Sequence, residues 1–299
     1  MLLRHLRYLL AVADHGNFTR AAQALYVSQP TLSQQIRQLE ESLGVELLDR
    51  SARTVHPTDA GAVYIEYARR ILRDLEAGKR AIHDVKDLSR GSLRLAMTPT
   101  FMAYLAGPLV RDFLALYPGI RLEVFELSMA DVEAGLADDS LDIAIAFTEV
   151  WNADIESSPL FEEKLALMVG RDHPLYERHE PLAPAELERL PLALLTGNFI
   201  TRTCIDDYCV AHGIKPTVIL EASSVNAILE ITRHAGVATI LPQATANEDR
   251  TLRKIDFIGE PPQRTAALLK RRNSYQSTAS AAFEKLLRDK LATLLGEDE

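Results

Sequence analysis

Val27-Ser28-Gln29-Pro30-Thr31-Leu32-Ser33-Gln34-Gln35-Ile36-Arg37 is the stretch that decides how the front of this chain folds. Ser28 is a good helix cap, and Pro30 suits a first turn because its missing N–H would have no partner there. Leu32, Ile36, Leu39 and Leu43 then recur at helical spacing as a buried stripe, and Gly44 ends the helix. The opposite face carries Gln29, Thr31, Ser33, Gln34 and Arg37, with no acid before Glu40. Amides and hydroxyls can read base edges in a major groove and arginine can pair with guanine, whereas a carboxylate would be repelled by phosphates. A polar helix face taken alone is more often solvated surface, so the flanking pattern has to decide.

Upstream, Leu6, Leu9, Leu10 and Ala13 give a first helix with one apolar face, stopped by His15-Gly16-Asn17. A second, shorter helix follows, with Thr19 as its expected cap and Ala21, Ala22, Ala24 and Leu25 turned inward. Tyr26-Val27 makes a tight connection to the third. Downstream, residues 47–50 and 54–57 flank a short turn at 51–53, as a hairpin wing would, which brings Arg50 and Arg53 toward a phosphate backbone or minor groove. Helix, helix, capped helix and basic wing in this order predict a winged helix-turn-helix over residues 1–58.

Thr58 can cap a long helix to about Ser89, in which Tyr64, Tyr67, Ile71, Leu75, Gly78, Ile82, Val85 and Leu88 recur every three or four positions. A helix of about 30 residues spans roughly 45 Å, more than one small domain needs to cover. Residues 59–90 are therefore read as a linker that pairs with a second copy. Packing on the chain's own C-terminal domain is the alternative.

Phe18-Thr19-Arg20-Ala21-Ala22, the run from Val27 to Ile36, Leu39-Glu40, Leu43-Gly44-Val45, Leu48-Asp49-Arg50 and Thr58-Asp59-Ala60-Gly61 together resemble the signature of the LysR family of transcription regulators. The resemblance runs nearly gapless over about the first 65 residues. It implies a cytoplasmic homodimer or homotetramer that binds double-stranded operator DNA and acts on RNA polymerase. It also implies Gln29, Pro30, Thr31, Ser33, Gln34 and Arg37 as the DNA-facing positions.

From Ser92 onward, short β-rich runs alternate with helices: residues 93–96, a helix to Tyr117, 120–124, another helix, and 141–147. A second series runs through 165–169, 192–195, 218–220 and 238–241, followed by a strand at 266–269 and a final helix from about Thr278 to Leu295. Periodicity supports alternating α/β construction. The family resemblance supplies the topology, a two-lobed effector domain of the periplasmic-binding-protein fold over 91–299, with lobe I at 91–161 and 266–299 and lobe II at 162–265. The expected fold class is thus α+β multidomain: an N-terminal winged helix-turn-helix, a long linker helix and this two-lobed domain. Strand ends and helix starts face the cleft of such a fold, so Thr98, Pro99, Thr100, Ser128, Thr148, Thr196, Phe199 and Thr201 are the candidate effector residues. Serines and threonines there are as often mere caps.

Within the family, segments 35–45, 77–85 and 91–95, with Thr98-Pro99-Thr100-Phe101, Ile145-Ala146-Phe147 and 268–274, are similar to regulators of cyanate operons. That likeness implies cyanate as a small-molecule inducer, and no cofactor. It is weak over 150–200. Another small metabolite is the runner-up, and a cytoplasmic solute-binding protein carrying a helix-turn-helix-like module is the reading from a different class.

Composition agrees with these expectations. The chain has 299 residues, 47% hydrophobic and 25% charged, and its net charge of −9 is uneven: +2 over residues 1–90 and −11 over the rest. A mildly basic front is too little to prove DNA binding by charge alone. No apolar run approaches the roughly 20 residues of a membrane span, so no membrane partner is expected. No two glycines lie two apart, which removes Gly-x-Gly dinucleotide loops and Gly-x-Ser-x-Gly elbows, and no phosphate loop ends in Gly-Lys-Ser/Thr. The eight histidines form no His-Glu-x-x-His, and Cys204 and Cys209 form no Cys-x-x-Cys, so neither an enzyme nor a metal site is expected. Asp138, Asp139 and Asp142 form an acidic patch best read as solvated turn residues.

Overall fold

The computed structural model describes residues 3–51, 54–84, 91–246 and 251–296. The chain divides into two compact units, Met1–Val85 and Lys86–Glu299. In the first, α1 (Leu3–His15), α2 (Phe18–Ala24) and α3 (Gln29–Leu43) precede a two-stranded wing, β1 (Leu48–Asp49) and β2 (His56–Pro57), and the long α4 (Asp59–Asp84). Gly16, at φ +58°, breaks α1. The cap of α2 is Asn17, not the expected Thr19: its Oδ1 accepts from the backbone N–H groups of Thr19 and Arg20 at 2.8 and 3.1 Å. The extended backbone of Asn17 sets its side chain in front of the first turn, whereas Thr19 already lies inside the helix.

Between α2 and α3 the backbone of Tyr26 is left-handed, at φ +55°. That conformation costs an L residue with a side chain roughly 1–2 kcal/mol. It is imposed by the N–H groups of Tyr26 and Val27, which donate to the carbonyls of Gln23 and Ala22. Ser28 caps α3 through Thr31 N–H, Pro30 lies in its first turn, and Gly44 at φ +70° ends it.

Leu9, Val12, Ala21, Ala22, Leu32, Ile36, Leu39, Leu47, Leu48 and Ile65 form the core of this unit. Leu43, expected in that stripe, is exposed, and Glu40 is buried one turn before it. The Glu40 carboxylate is tolerated there because it accepts from Leu47 and Leu48 N–H at 3.0 and 3.2 Å and pairs with Arg50 at 2.5 Å. Thr58 accepts from Gly61 N–H and donates to the Glu46 carbonyl, starting α4 against the wing. A Cβ at Gly61 would lie 1.8 Å from the Leu47 carbonyl oxygen, so only glycine allows this approach. Of the expected linker seam, Val85 and Leu88 and the side chain of Ile82 lie outside the described residues, while Tyr67 and Ile71 are exposed.

The second unit contains β3 (Gly91–Met97), α5 (Pro99–Tyr104), α6 (Ala106–Leu116), β4 (Ile120–Glu126), α7 (Met129–Ala137), β5 (Ile143–Phe147) and β6 (Ile155–Gly170). It continues with β7 (Pro191–Leu195), α8 (Ile200–Ala211), β8 (Thr217–Ala222), α9 (Val225–His234), β9 (Ala238–Pro242), β10 (Leu252–Ile255), β11 (Gln263–Arg271) and α10 (Thr278–Gly296). The helix expected to run to Tyr117 is two helices, because Pro108 has no N–H for the Tyr104 carbonyl and a continuous helix would need that bond.

The strand order is β4-β3-β5-β11-β6-β9-β7-β8, with β10 also on β6. Parallel pairs β3–β4, β3–β5, β7–β8 and β7–β9 build the flanks, and antiparallel β11 and β6 join them. Two lobes result, each with apolar clusters on both faces of its sheet. Leu95, Phe101, Phe113, Ile145 and Phe283 pack on one face in the first lobe, and Leu167, Leu192, Leu194 and Ile240 in the second. The chain crosses between lobes on β6 near residues 161–165 and on β11 near 263–266.

Candidate functional site

Two surfaces concentrate the residues singled out by sequence. On α3, Gln29, Pro30, Thr31, Gln34 and Arg37 are exposed and Ser33 is half-buried. The Thr31 hydroxyl is taken up at 2.7 Å by the capping Ser28. Gln35 bonds to Gln38 and to His5 of α1, which steadies the neighbouring face. Arg50 was expected at a phosphate. Its guanidinium pairs with buried Glu40 and lies 5.4 Å over the Phe18 ring, which ties the wing to α2 and α3 while the side chain stays one-third exposed. Arg53 lies outside the described residues.

In the second unit, Thr98, Pro99, Thr100, Ser128, Phe199 and Thr201 come together with Glu126, Leu127, Met129, Phe147, Asn198 and Ile200 around a cleft of about 210 Å³. These residues come from the C-terminal ends of β3, β4 and β5 and the starts of α5, α7 and α8, which is where parallel-sheet geometry exposes unpaired N–H groups. Thr148 and Thr196, also expected there, are not in its lining. The Thr148 backbone is drawn to the Thr265 carbonyl, and the Thr196 hydroxyl bonds to Asn198, which lines the cleft in its place. Ser128 is partly a cap, accepting from Asp131 N–H and donating to the Asp131 carboxylate.

Sequence reading missed the layer behind this lining, the floor on which Thr100, Phe147 and Thr201 rest. Arg264 and Glu163, each with its side chain only 4% exposed, pair at 2.5 Å on the two crossing strands. The Arg264 guanidinium also donates to Thr201 Oγ1 at 2.5 Å and Thr100 Oγ1 at 2.8 Å, and it stacks 4.2 Å from the Phe147 ring centre. Tyr104 donates its phenol proton to Glu163 at 2.5 Å, and burial first, then the Glu163 charge, holds that phenol far above its ordinary pKa. No local signal marked the pair: the immediate neighbours of Glu163 are Glu162 and Lys164, and those of Arg264 are Gln263 and Thr265.

The chemistry of this floor follows from donor and acceptor roles. A guanidinium only donates, so the Thr100 and Thr201 oxygens are its acceptors and their hydroxyl protons are left to point elsewhere. Thr98 Oγ1 is buried without a hydrogen-bond partner. Neither Thr98 nor Phe199 caps its helix through a side chain. The polar groups at this end of the sheets are therefore chiefly donors, hydroxyls and helix-start N–H groups. The two thiols have a different character. Burial raises the pKa of both Cys204 and Cys209, and Cys204 donates to the Gln263 carbonyl at 3.4 Å. Among the described residues no group of three or more histidines, cysteines or carboxylates is placed to hold a metal, and no helix is long and apolar enough to cross a membrane.

Residues 3–62 match the family described as bacterial regulatory helix-turn-helix protein, lysR family, and residues 86–292 match the LysR substrate binding domain. A hydrogen peroxide-inducible genes activator of Pectobacterium carotovorum subsp. carotovorum is 32% identical over 295 residues, covering 96% of this chain and 97% of its own. A probable RuBisCO transcriptional regulator of Thalassiosira pseudonana is 30% identical, covering 86% of each. Full-length CbnR, solved in complex with its target DNA, superposes with a TM-score of 0.69 at 25% identity and covers 97% of this chain and 99% of its own. Neither relative is named for cyanate, and the peroxide activators stand nearer than the cyanate likeness led one to expect. These relatives are regulators and not enzymes. With the helix-turn-helix match at the front and the substrate-binding-domain match over residues 86–292, the chain belongs to the LysR family of DNA-binding transcription regulators.

Proposed function

We propose that this regulator reads operator DNA with the exposed face of α3 and answers to a small monoanion bound in the cleft, for which cyanate is our candidate. The observation that carries the ligand class is the Arg264 guanidinium, which takes one hydroxyl oxygen from each lobe, Thr100 and Thr201, as its acceptors and so leaves both protons for another partner. The Arg264 charge is balanced by Glu163, and Glu126 lines the cleft, so repulsion rises with ligand charge and disfavours dianions. Cyanate carries one charge and acceptors at both ends. The segments likened above to cyanate-operon regulators support the same reading.

Response to hydrogen peroxide is the second reading, favoured by the named relatives. The thiols oppose it: the reactive species is the thiolate, which burial disfavours at both Cys204 and Cys209. The two also lie five residues apart on α8, about 140° around the helix from each other.

On DNA, Gln29, Pro30, Thr31, Ser33, Gln34 and Arg37 form the proposed contact face, Arg50 positions the wing, and Arg53 is assigned to the phosphate backbone. Val63, Tyr67 and Ile71 recur every fourth residue as exposed apolar side chains on α4, which supports pairing of two copies and, beyond that, a tetramer. Ligand closing of the lobes would then reset the spacing of the paired readers and the bend of the DNA presented to RNA polymerase.

The deciding measurement is a footprint of the full chain on its own upstream region, with cyanate, with hydrogen peroxide and with neither, at fixed salt. A two-fold protected site altered by cyanate alone is expected. Alteration by peroxide alone would overturn the ligand assignment and leave the DNA assignment standing. Thr98→Val removes a hydroxyl that has no partner in the fold, so melting should be unchanged while cyanate affinity by calorimetry falls about tenfold. Equal affinities would remove Thr98 from the site. Gln34→Ala should cost about 1–3 kcal/mol on the operator and much less on random duplex. Equal losses on both would take Gln34 out of base readout.

A further inference from the structure

Tyr26 is at odds with its surroundings. Its ring is 96% exposed, so no packing offsets its left-handed backbone. The other described non-glycine residues with positive φ are Asp139 and Asn273, of types whose short polar side chains tolerate that region. Glycine would satisfy the same turn with less strain, because the two hydrogen bonds that close α2 involve only backbone atoms. A bulky phenol is therefore held outward at a backbone cost that the isolated unit does not recover.

Its place in the fold suggests what recovers that cost. Tyr26 is two residues before Ser28, the cap of α3, and the exposed Gln29, Pro30 and Thr31 follow directly. A recognition helix enters the major groove by its N-terminal residues. A side chain just ahead of that end meets the rim of the groove, where the sugar–phosphate strand passes. The phenol suits this neighbour, since its O–H can donate to a phosphate oxygen and its ring can lie against deoxyribose.

We infer that Tyr26 clamps the DNA backbone at the groove edge and so sets how deeply α3 enters. The inference rests on the reading of α3 as the groove helix. Being neutral, the contact displaces no counterion, so it adds affinity on every sequence without steepening the salt dependence.

The test is fluorescence anisotropy of the full chain on the footprinted operator fragment and on a scrambled duplex of equal length, over a salt series, for Tyr26→Phe, Tyr26→Gly and Gln34→Ala. Tyr26→Phe should weaken both duplexes by about 2- to 10-fold, the worth of one hydrogen bond, with an unchanged salt slope. Tyr26→Gly should weaken both further while raising the melting temperature of the free protein. Wild-type affinity in both tyrosine variants, with Gln34→Ala impaired on the operator, would overturn the clamp and keep the groove helix. Wild-type affinity in all three would overturn both. A lowered melting temperature for Tyr26→Gly would also overturn the inference, since it would make the ring a structural element.

Discussion

Arg264→Met is expected to destabilise the C-terminal unit by about 3–5 kcal/mol, because it leaves the Glu163 carboxylate buried and uncompensated. Urea unfolding followed by circular dichroism reads the loss directly. Thr100 and Thr201 lose their common donor in the same stroke, so the cleft hydroxyls are no longer oriented and, on the proposed function, cyanate binding should fall below detection. Adding Glu163→Gln should return most of the stability, since the orphaned charge is then gone, but should not return ligand binding. A single variant that loses less than about 1 kcal/mol would mean the pair is well solvated, contrary to the exposure of both side chains.

Glu40→Ala is the second large effect. It strips Leu47 N–H, Leu48 N–H and the Arg50 guanidinium of their acceptor at once, and the expected cost to the N-terminal unit is about 3–5 kcal/mol. A point-charge view predicts the reverse for DNA, since removing an acid near the reader should strengthen attraction to phosphates. The structure predicts weaker binding, because β1 and Arg50 are no longer fixed to α3 and the wing loses its place. Melting and anisotropy on the same preparation separate the two: unchanged melting with tighter DNA binding would make Glu40 a mere surface charge. Glu40→Gln should be milder, as the amide oxygen can still accept from one or both backbone donors.

The parts of this architecture legible in the sequence were those encoded locally. Ser28, Pro30 and Gly44 mark the ends of α3 because capping depends on the immediate neighbours, and the stripe of Leu32, Ile36 and Leu39 follows from helical period. The misses share a different cause. Asn17 displaced Thr19 through a backbone angle that composition does not reveal. Glu40 took a buried place only because donors seven to ten residues later converge on it. Arg264 and Glu163 are 101 residues apart, and nothing in either neighbourhood states that they meet. The cleft was partly legible, since strand-to-helix junctions attract hydroxyl residues, yet Thr148 and Thr196 show that such a junction does not fix where the hydroxyl turns. Ligand identity was least legible, because the lining is assembled from separated segments that each look like an ordinary helix start.

The sixteen residues of β6 run through both lobes without a loop. Ile155 to Lys164 pair with β11, Leu165 to Val169 with β9, and Leu167 to Gly170 with β10. A connection of this kind behaves less like a door on a pin than like a torsion bar notched once: motion of one lobe against the other is spread as twist along a hydrogen-bonded ladder whose register shifts between Ala266 and Ala267. The same continuity constrains how relatives can diverge. Loops at the lobe surfaces can lengthen freely, but removing one residue between 161 and 165 would turn every side chain of the downstream half to the wrong face of its sheet while leaving the upstream half in register. The crossing is thus a length standard for the whole two-lobed unit.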